Sequence, residues 1–206
     1  MQTLPRRIRK ILKSFDIVLA TASPRRRNLI QKIDRVHPIF MPTDVEEVVL
    51  CGAEQTAVTN ARKKGIAAMQ KTELPVLAFD TVVGIGDVVF GKPNTFDDAL
   101  RMLKALCGNT HEVVTAVFFA VNGKIIEKTE KTHVTFGAFD KDLVYNYVES
   151  GAPFDKAGGY NIDDAQIKPL IAAVDGDYDN VVGLPVKLTE KLIEENLLYG
   201  EDGYSA

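Results

Sequence analysis

The 206-residue sequence predicts an α/β fold with helices layered on a sheet, on three observations. β-rich and helix-periodic segments alternate through the first half of the chain. Two hairpin signals, Gly84-Ile85-Gly86-Asp87 and Asn122-Gly123, each separate β-rich runs. The hydrophobic fraction is 46%, enough to bury a sizeable core as one large domain or two small lobes.

The elements follow in order. Residues 1–15 form a basic N-terminal arm or short docked helix without an acidic residue, its Ile8, Ile11, Leu12 and Phe15 falling on one helical face. Residues 17–20 read as a buried strand. A helix then starts at Pro24, with Leu29, Ile30 and Ile33 on one side. Residues 53–70 read as a second helix whose inward positions are Ala57, Val58, Ala61 and Ala68. Residues 75–83 and 88–90 form a hairpin around the Gly84–Asp87 turn. Thr95 with Asp98 begins a capped helix carrying Leu100, Leu103 and Leu106, and Gly108 sits at its stop.

A longer hairpin follows, 113–121 and 125–136, with Asn122-Gly123 between its strands. Asp140 caps a helix running through Ser150 to Gly151. The last helix starts near Pro185 and buries Leu188, Leu192, Ile193 and Leu197. Between these two helices the polar, Gly-rich stretch 155–183 fits either a substrate loop or a connection with short strands.

Composition excludes several functions. A formal net charge of −3 and no tryptophan argue against a nucleic-acid polymer as partner. No apolar run approaches the ~20 residues of a membrane span. Cys51 and Cys107 form no CxxC, and His37, His111 and His133 are scattered, so neither a disulfide framework nor a zinc site is expected. A reduced, cytoplasmic setting fits best.

The chemistry concentrates in two segments. In Ala20–Ile30, Ser23 can cap the helix and Pro24 suits its first turn, leaving backbone N–H groups that favour an anion. Arg25 and Arg26 can grip phosphate oxygens there. Successive helical residues diverge by about 100°, which leaves Arg27 to solvent. A surface basic cluster is the plainer reading of the same run.

In the second segment, Phe79-Asp80-Thr81-Val82-Val83 followed by Gly91-Lys92-Pro93, a carboxylate ends an apolar strand pattern. Such a group is costly if buried without a partner. The hairpin register brings Lys92 opposite residue 79, 80 or 81, so Asp80 and Lys92 are expected to be neighbours. They form either a structural ion pair or a carboxylate beside a phosphate-binding lysine. Glu46-Glu47 can add a carboxylate at a divalent ion, and one of Lys63-Lys64 can face the anion.

These residues carry a resemblance. From about residue 17 to 197 the chain resembles the Maf family of septum-formation Maf-like proteins, nucleoside triphosphate pyrophosphatases. It does so through SPRR (Ser23 to Arg26), Glu47, the A-x-x-K helix (Ala61 to Lys64), FDTVV, GKP, DKAGGY (Asp155 to Tyr160) and GDYDNVVGLP (Gly176 to Pro185). The resemblance implies a single Maf-like domain over 1–206 with an inosine-triphosphate-pyrophosphatase-like fold: an elongated mixed β-sheet flanked by helices, two lobes around a cleft. It implies hydrolysis of a nucleoside triphosphate to the monophosphate and pyrophosphate with Mg²⁺ or Mn²⁺, and a homodimer.

Position by position, the resemblance implies that Ser23, Arg25, Arg26, Lys64 and Lys92 hold the phosphates, while Glu47 and Asp80 serve the metal and the attacking water. Thr81 and Lys156 match the dTTP/UTP-hydrolysing branch. That branch carries Gln where this chain has Asp163, which only accepts hydrogen bonds when ionised, so the preferred base stays open between dTTP/UTP and modified nucleotides. The competing reading is a non-catalytic nucleotide-binding regulator of cell division or growth.

Overall fold

The structure, a computed structural model, describes residues 14–198. The arm expected at 1–15 lies outside them except for its end, and there the expectation fails. Phe15 is not on a helix but opens strand β1 (Phe15–Leu19), pairing with Val36 and burying its ring in the core.

Seven strands form one mixed sheet. β1 lies between β2 (Val36–Phe40) and β3 (Val76–Ile85), parallel to both. β3 continues antiparallel into β5 (Thr110–Val121), then β6 (Lys124–Phe136) and β7 (Ile171–Asp175), giving the order β2-β1-β3-β5-β6-β7. β4 (Val88–Phe90) pairs with the far end of β3. The turn after β5 is the expected Asn122-Gly123, both at positive φ as a tight twisted hairpin requires.

The length of β3 creates the cleft. Its first residues, Val76 and Leu77, bond β1, and its last three, Val83 to Ile85, bond β4 on the same edge. Between them the edge is unpaired, because β1 has already turned away into helix α1 (Pro24–Leu29). Ligands in α/β proteins favour such switch points, where neighbouring chains diverge. Asp80 and Thr81 stand in that gap.

Alternation along β3 fixes what each face meets. Leu77 and Phe79 join Ile17, Leu19 and Phe119 beneath α1 and α6 (Val186–Ile193), the helix expected after Pro185. Ala78 and Val82 join Val114 and Phe118 beneath α2 (Ala53–Met69), whose Ala57, Ala61 and Ala68 are fully buried. A third cluster lies around α3 (Phe96–Leu106) and α4 (Lys141–Glu149), with Leu103, Tyr147 and Ile167 buried. Thr95 and Asp140 cap those helices as expected, accepting from Asp98 N and Leu143 N.

The 155–183 stretch, open in sequence, resolves into 3-10 turns, β7, and the short helix α5 (Tyr178–Val182). Asp177 caps α5, and the buried Asn180 amide donates to Val113 O and Thr132 Oγ1 at 3.0 Å each, fastening this segment to β5 and β6. Among the described residues, no helix is long and apolar enough to cross a membrane.

Candidate active site

Ser23 does cap α1, accepting from Arg26 N at 3.4 Å. The three arginines that follow diverge as helical geometry demands. Arg25 faces the cleft and pairs with Asp155 at 3.0 Å. Arg26 turns inward: Nε donates to Gly183 O at 2.8 Å and a terminal nitrogen donates to Thr81 Oγ1 at 2.9 Å. Arg27 lies outside the cleft but is not left to solvent. Its guanidinium lies 4.7 Å from the Phe40 ring centroid, the side chain is half-buried, and its Nε is withdrawn from solvent.

On β3, Asp80 points toward α2 and Thr81 toward α1 and α5, as adjacent strand residues must. Thr81 Oγ1 also meets Thr115 Oγ1 at 2.9 Å. Asp80 is 6% exposed, and its Oδ1 accepts from Lys64 Nζ at 2.6 Å. The same ammonium lies 2.6 Å from Glu47 Oε1, so a single lysine spans both carboxylates.

The expected Asp80–Lys92 pair does not form. The turn is the two-residue Gly86-Asp87, Ile85 pairs with Val88, and β4 ends at Phe90 opposite Val83, before the ladder reaches Lys92. Lys92 instead sits exposed at the cleft rim, without an ion pair to any described residue, and its charge acts on Glu47. Glu46 points away; its carbonyl accepts from Lys63 Nζ at 3.0 Å.

The cleft has a volume of about 420 Å³, within the ~300–1,000 Å³ usual for small-molecule sites. Ser23, Arg25, Arg26, Glu47, Lys64, Asp80, Thr81, Lys92 and Lys156 all line it. Asp163 does not: it is exposed and accepts from Tyr178 Oη at 2.7 Å, while Asn161, two residues earlier, reaches the cleft. The turn after Tyr160 explains the exchange, since Asn161 is tied down by its amide to Asp164 Oδ1 at 2.9 Å.

Sequence reasoning gave no role to Asp155, although it opens the DKAGGY block. Its carboxylate bridges Arg25 and Lys156, the latter at 2.6 Å. The loop reaches β3 because Gly158, at φ +69°, lies against Val83, where a Cβ would come within 3.0 Å.

Electrostatics separates the carboxylates. Burial pushes the Asp80 pKa up, Lys64 and Arg26 oppose it, and Glu47 adds to the rise, leaving it above the ordinary range. Burial also pushes Glu47 up, but Lys64, Lys92 and Arg26 outweigh that and leave it below its ordinary value. Burial lowers the Arg26 pKa against the pull of Asp80 and Glu47.

Two converging oxygen donors suit a hard divalent cation that completes its shell with water and phosphate. No group of three or more His, Cys, Asp or Glu that could hold an ion occurs among the described residues; Glu47 and Asp80 converge as a pair, with the Lys64 ammonium between them.

Comparison with known proteins places the chain in a family. The family model described as Maf-like protein matches residues 16–196. A dTTP/UTP pyrophosphatase of Chromobacterium violaceum is 37% identical over 191 residues, 87% of this chain and 93% of that protein. One of Thermosipho africanus is 40% identical over 172 residues, 82% and 87% respectively. Among solved structures, a HAM1 protein from Coxiella burnetii superposes with a TM-score of 0.55 at 17% identity, covering 88% of this chain and 99% of that one. A Ham1 protein of Staphylococcus aureus gives 0.54 at 16% identity, over 88% and 99%; at such identity the likeness is one of fold.

Proposed function

The chain belongs to the Maf-like protein family, and on that premise we propose that it hydrolyses a nucleoside triphosphate to the monophosphate and pyrophosphate. The relatives of 35–40% identity that cover most of the chain carry the name dTTP/UTP pyrophosphatase, which supports the substrate class. The observation that carries the reading is the convergence of Glu47, Asp80 and Lys64 beside the cationic groups of one cleft.

Water attacks the α-phosphorus, the bond from that phosphorus to the bridging oxygen breaks, and pyrophosphate leaves. The water proton passes to a carboxylate and then to solvent. Arg25, Lys92 and the N-terminal end of α1 bind the phosphate chain and stabilise charge on the leaving group. Arg26 fixes the floor of the site through Thr81 and Gly183. Glu47 and Asp80 orient the water and hold a divalent cation, Mg²⁺ or Mn²⁺. When bound, such an ion supplies Lewis-acid polarisation of the phosphoryl oxygens and charge neutralisation.

Arg25 and Lys156 share the Asp155 carboxylate, which is 65% exposed in its side chain, so an incoming phosphate competes with a weakly held internal anion. Thr81 and Lys156 favour a pyrimidine triphosphate in this reading. With Asp163 turned away to Tyr178, Asn161 is the amide of this turn that lines the cleft, and it can offer a base edge only the N–H that Asp164 does not take.

The test is pyrophosphate release from a panel of dTTP, UTP, CTP, purine and modified triphosphates, with and without Mn²⁺. Turnover of at least one triphosphate is expected. Nucleotide binding without pyrophosphate release from any member would leave a regulator, not an enzyme. A homodimer, testable by light scattering, is proposed alongside, as is indifference to nucleic-acid polymers.

A further inference from the structure

Glu47 stands on a segment that lacks regular structure: residues 41–50 form neither strand nor helix. A carboxylate there has a defined position only if something outside the segment holds its backbone. Two side chains on one face of α2, Thr56 and Asn60, do so, beside the Lys63 bond to the Glu46 carbonyl. Thr56 Oγ1 accepts from Leu50 N at 3.0 Å. Asn60 Oδ1 accepts from Val48 N at 2.9 Å, and Asn60 Nδ2 donates to Val48 O at 3.0 Å. Lys64 meets the Glu47 carboxylate itself at 2.6 Å.

The spacing is not arbitrary. Positions 56, 60 and 64 step along the helix by four residues, a rise of ~6 Å. Residues 50 and 48 are two apart on an extended chain, ~6.6 Å. The two spacings match, so Thr56 and Asn60 can hold Leu50 and Val48 together, with the segment running antiparallel to the helix. Successive residues of an extended chain face opposite ways, and a slip of one exchanges the faces. The clamp on Val48 therefore decides that Glu47 faces the cleft and Glu46 does not.

Asn60 reaches further. It is 3% exposed, and Nδ2 also lies 3.3 Å from Asp80 Oδ2. One buried amide thus touches the backbone next to Glu47 and the side chain of Asp80. The amide accepts from Val48 N–H and donates to Val48 C=O, and its Nδ2 also faces Asp80, which a hydroxyl with a single O–H could not do while serving Val48 C=O.

We infer that Asn60, supported by Thr56, is a positioning residue that sets the register of the Glu47 segment against Asp80. Its kinetic consequence rests on the pyrophosphatase reading; its structural consequence does not.

Two measurements on the full chain test this. In Asn60→Leu, hydrogen exchange at the Val48 amide should accelerate at least about tenfold, with the Val114 and Phe118 amides of β5 unchanged. Thr56→Val should do the same at Leu50. If Asn60→Leu does not fold, Asn60→Ala, which removes the acceptor for Val48 N along with both donors, takes its place. For turnover, Asn60→Leu should lower kcat at least about tenfold while KM stays within about threefold. In the Glu47→Gln background the same change should cost clearly less than it does in the wild type, because its route through Glu47 is already gone and only the Asn60–Asp80 contact is left to lose. Unchanged Val48 exchange, or effects of Asn60→Leu and Glu47→Gln that simply multiply, overturn the inference. A wild-type protein inactive on every nucleotide would sink the pyrophosphatase reading, and the exchange measurement would still decide the clamp.

Discussion

Nζ of Lys64 stands 2.6 Å from Oδ1 of Asp80, and yet the Asp80 carboxyl is held above its ordinary pKa. Burial outweighs the attraction of Lys64 and Arg26, and the neighbouring Glu47 charge adds to the rise. The folded protein therefore tolerates a neutral group at position 80 better than a free-standing carboxylate would suggest.

Asp80→Asn separates chemistry from stability. Losing the carboxylate should lower turnover by about 100-fold or more, as expected for a group that orients water and charge at the reacting phosphorus. Because the folded-state pKa is raised, the fold favours the protonated form, and the neutral isostere should change unfolding free energy by less than about 1 kcal/mol. Pyrophosphate release and urea unfolding on the same preparation check both. Retained turnover would remove Asp80 from the mechanism.

Metal removal should be silent in stability. Lys64 already bridges Glu47 and Asp80, so the two carboxylates are not left facing each other without a cation. Treatment with EDTA should abolish pyrophosphate release while moving Tm by less than about 2 °C, since an ion outside the folding core contributes only through its own affinity. A large drop in Tm would mean that the cation holds the fold and Lys64 does not.

Arg26 is not replaceable by lysine. Its guanidinium makes two bonds in different directions, to Gly183 O at 2.8 Å and Thr81 Oγ1 at 2.9 Å, joining α1 to the loop before α6. An ammonium is a point donor and cannot reproduce a planar fork. Arg26→Lys should raise KM about tenfold or more and cost about 1–3 kcal/mol of stability, read from nucleotide titrations and denaturant midpoints. A wild-type KM in that variant would place Arg26 in the scaffold alone.

His111 gives the fold an acid limit. It is 1% exposed, packs edge-on against Phe136 and Tyr160, and shares a 2.7 Å hydrogen bond with Tyr160 Oη. Burial lowers its pKa from 6.5 to about 4. Between those values the unfolded chain binds the extra proton and the folded chain does not. The contribution is complete above pH 6.5 and is lost as pH falls toward 4. Going from about pH 7.5 to about pH 5 should remove roughly 2 kcal/mol. His111→Gln should flatten that dependence, and an equal slope in both proteins would contradict the assignment.

The legible parts of the site are those decided locally. Ser23 and Pro24 announce a helix start within four residues, and the apolar run around Asp80 places it on a strand whose neighbours are its own sequence neighbours. What stayed hidden depends on packing between distant segments. Lys64 and Asp80 meet only because the alanine stripe of α2 lies flat on β3. Arg25 and Asp155 meet across 130 residues. Asp163 shows the converse: its place in a motif suggested the cleft, but the turn after Tyr160 sends it outward. Thr56, Asn60 and Lys64 left a signal that an apolar search passes over, a polar stripe with period four beside the alanine one.

That close packing of α2 on the sheet can be tested at Gly65, the residue after Lys64. A Cβ there would lie 2.1 Å from the Phe118 ring, and Phe118 is fully buried. Helix propensity alone favours Ala over Gly by about 1 kcal/mol. Overpacking a filled core typically costs about 1–3 kcal/mol, and here the obstructing atoms belong to a rigid ring with no room to turn away. The clash should win, so Gly65→Ala should destabilise by about 1–2 kcal/mol net. Any relief requires α2 to lift from β5, carrying Lys64 away from Asp80 on β3. Turnover should therefore fall along with stability, by about tenfold. Phe118→Leu in the same chain makes room for the new methyl, and it should restore part of both losses; recovery of neither would mean that α2 is not held at this distance by Phe118.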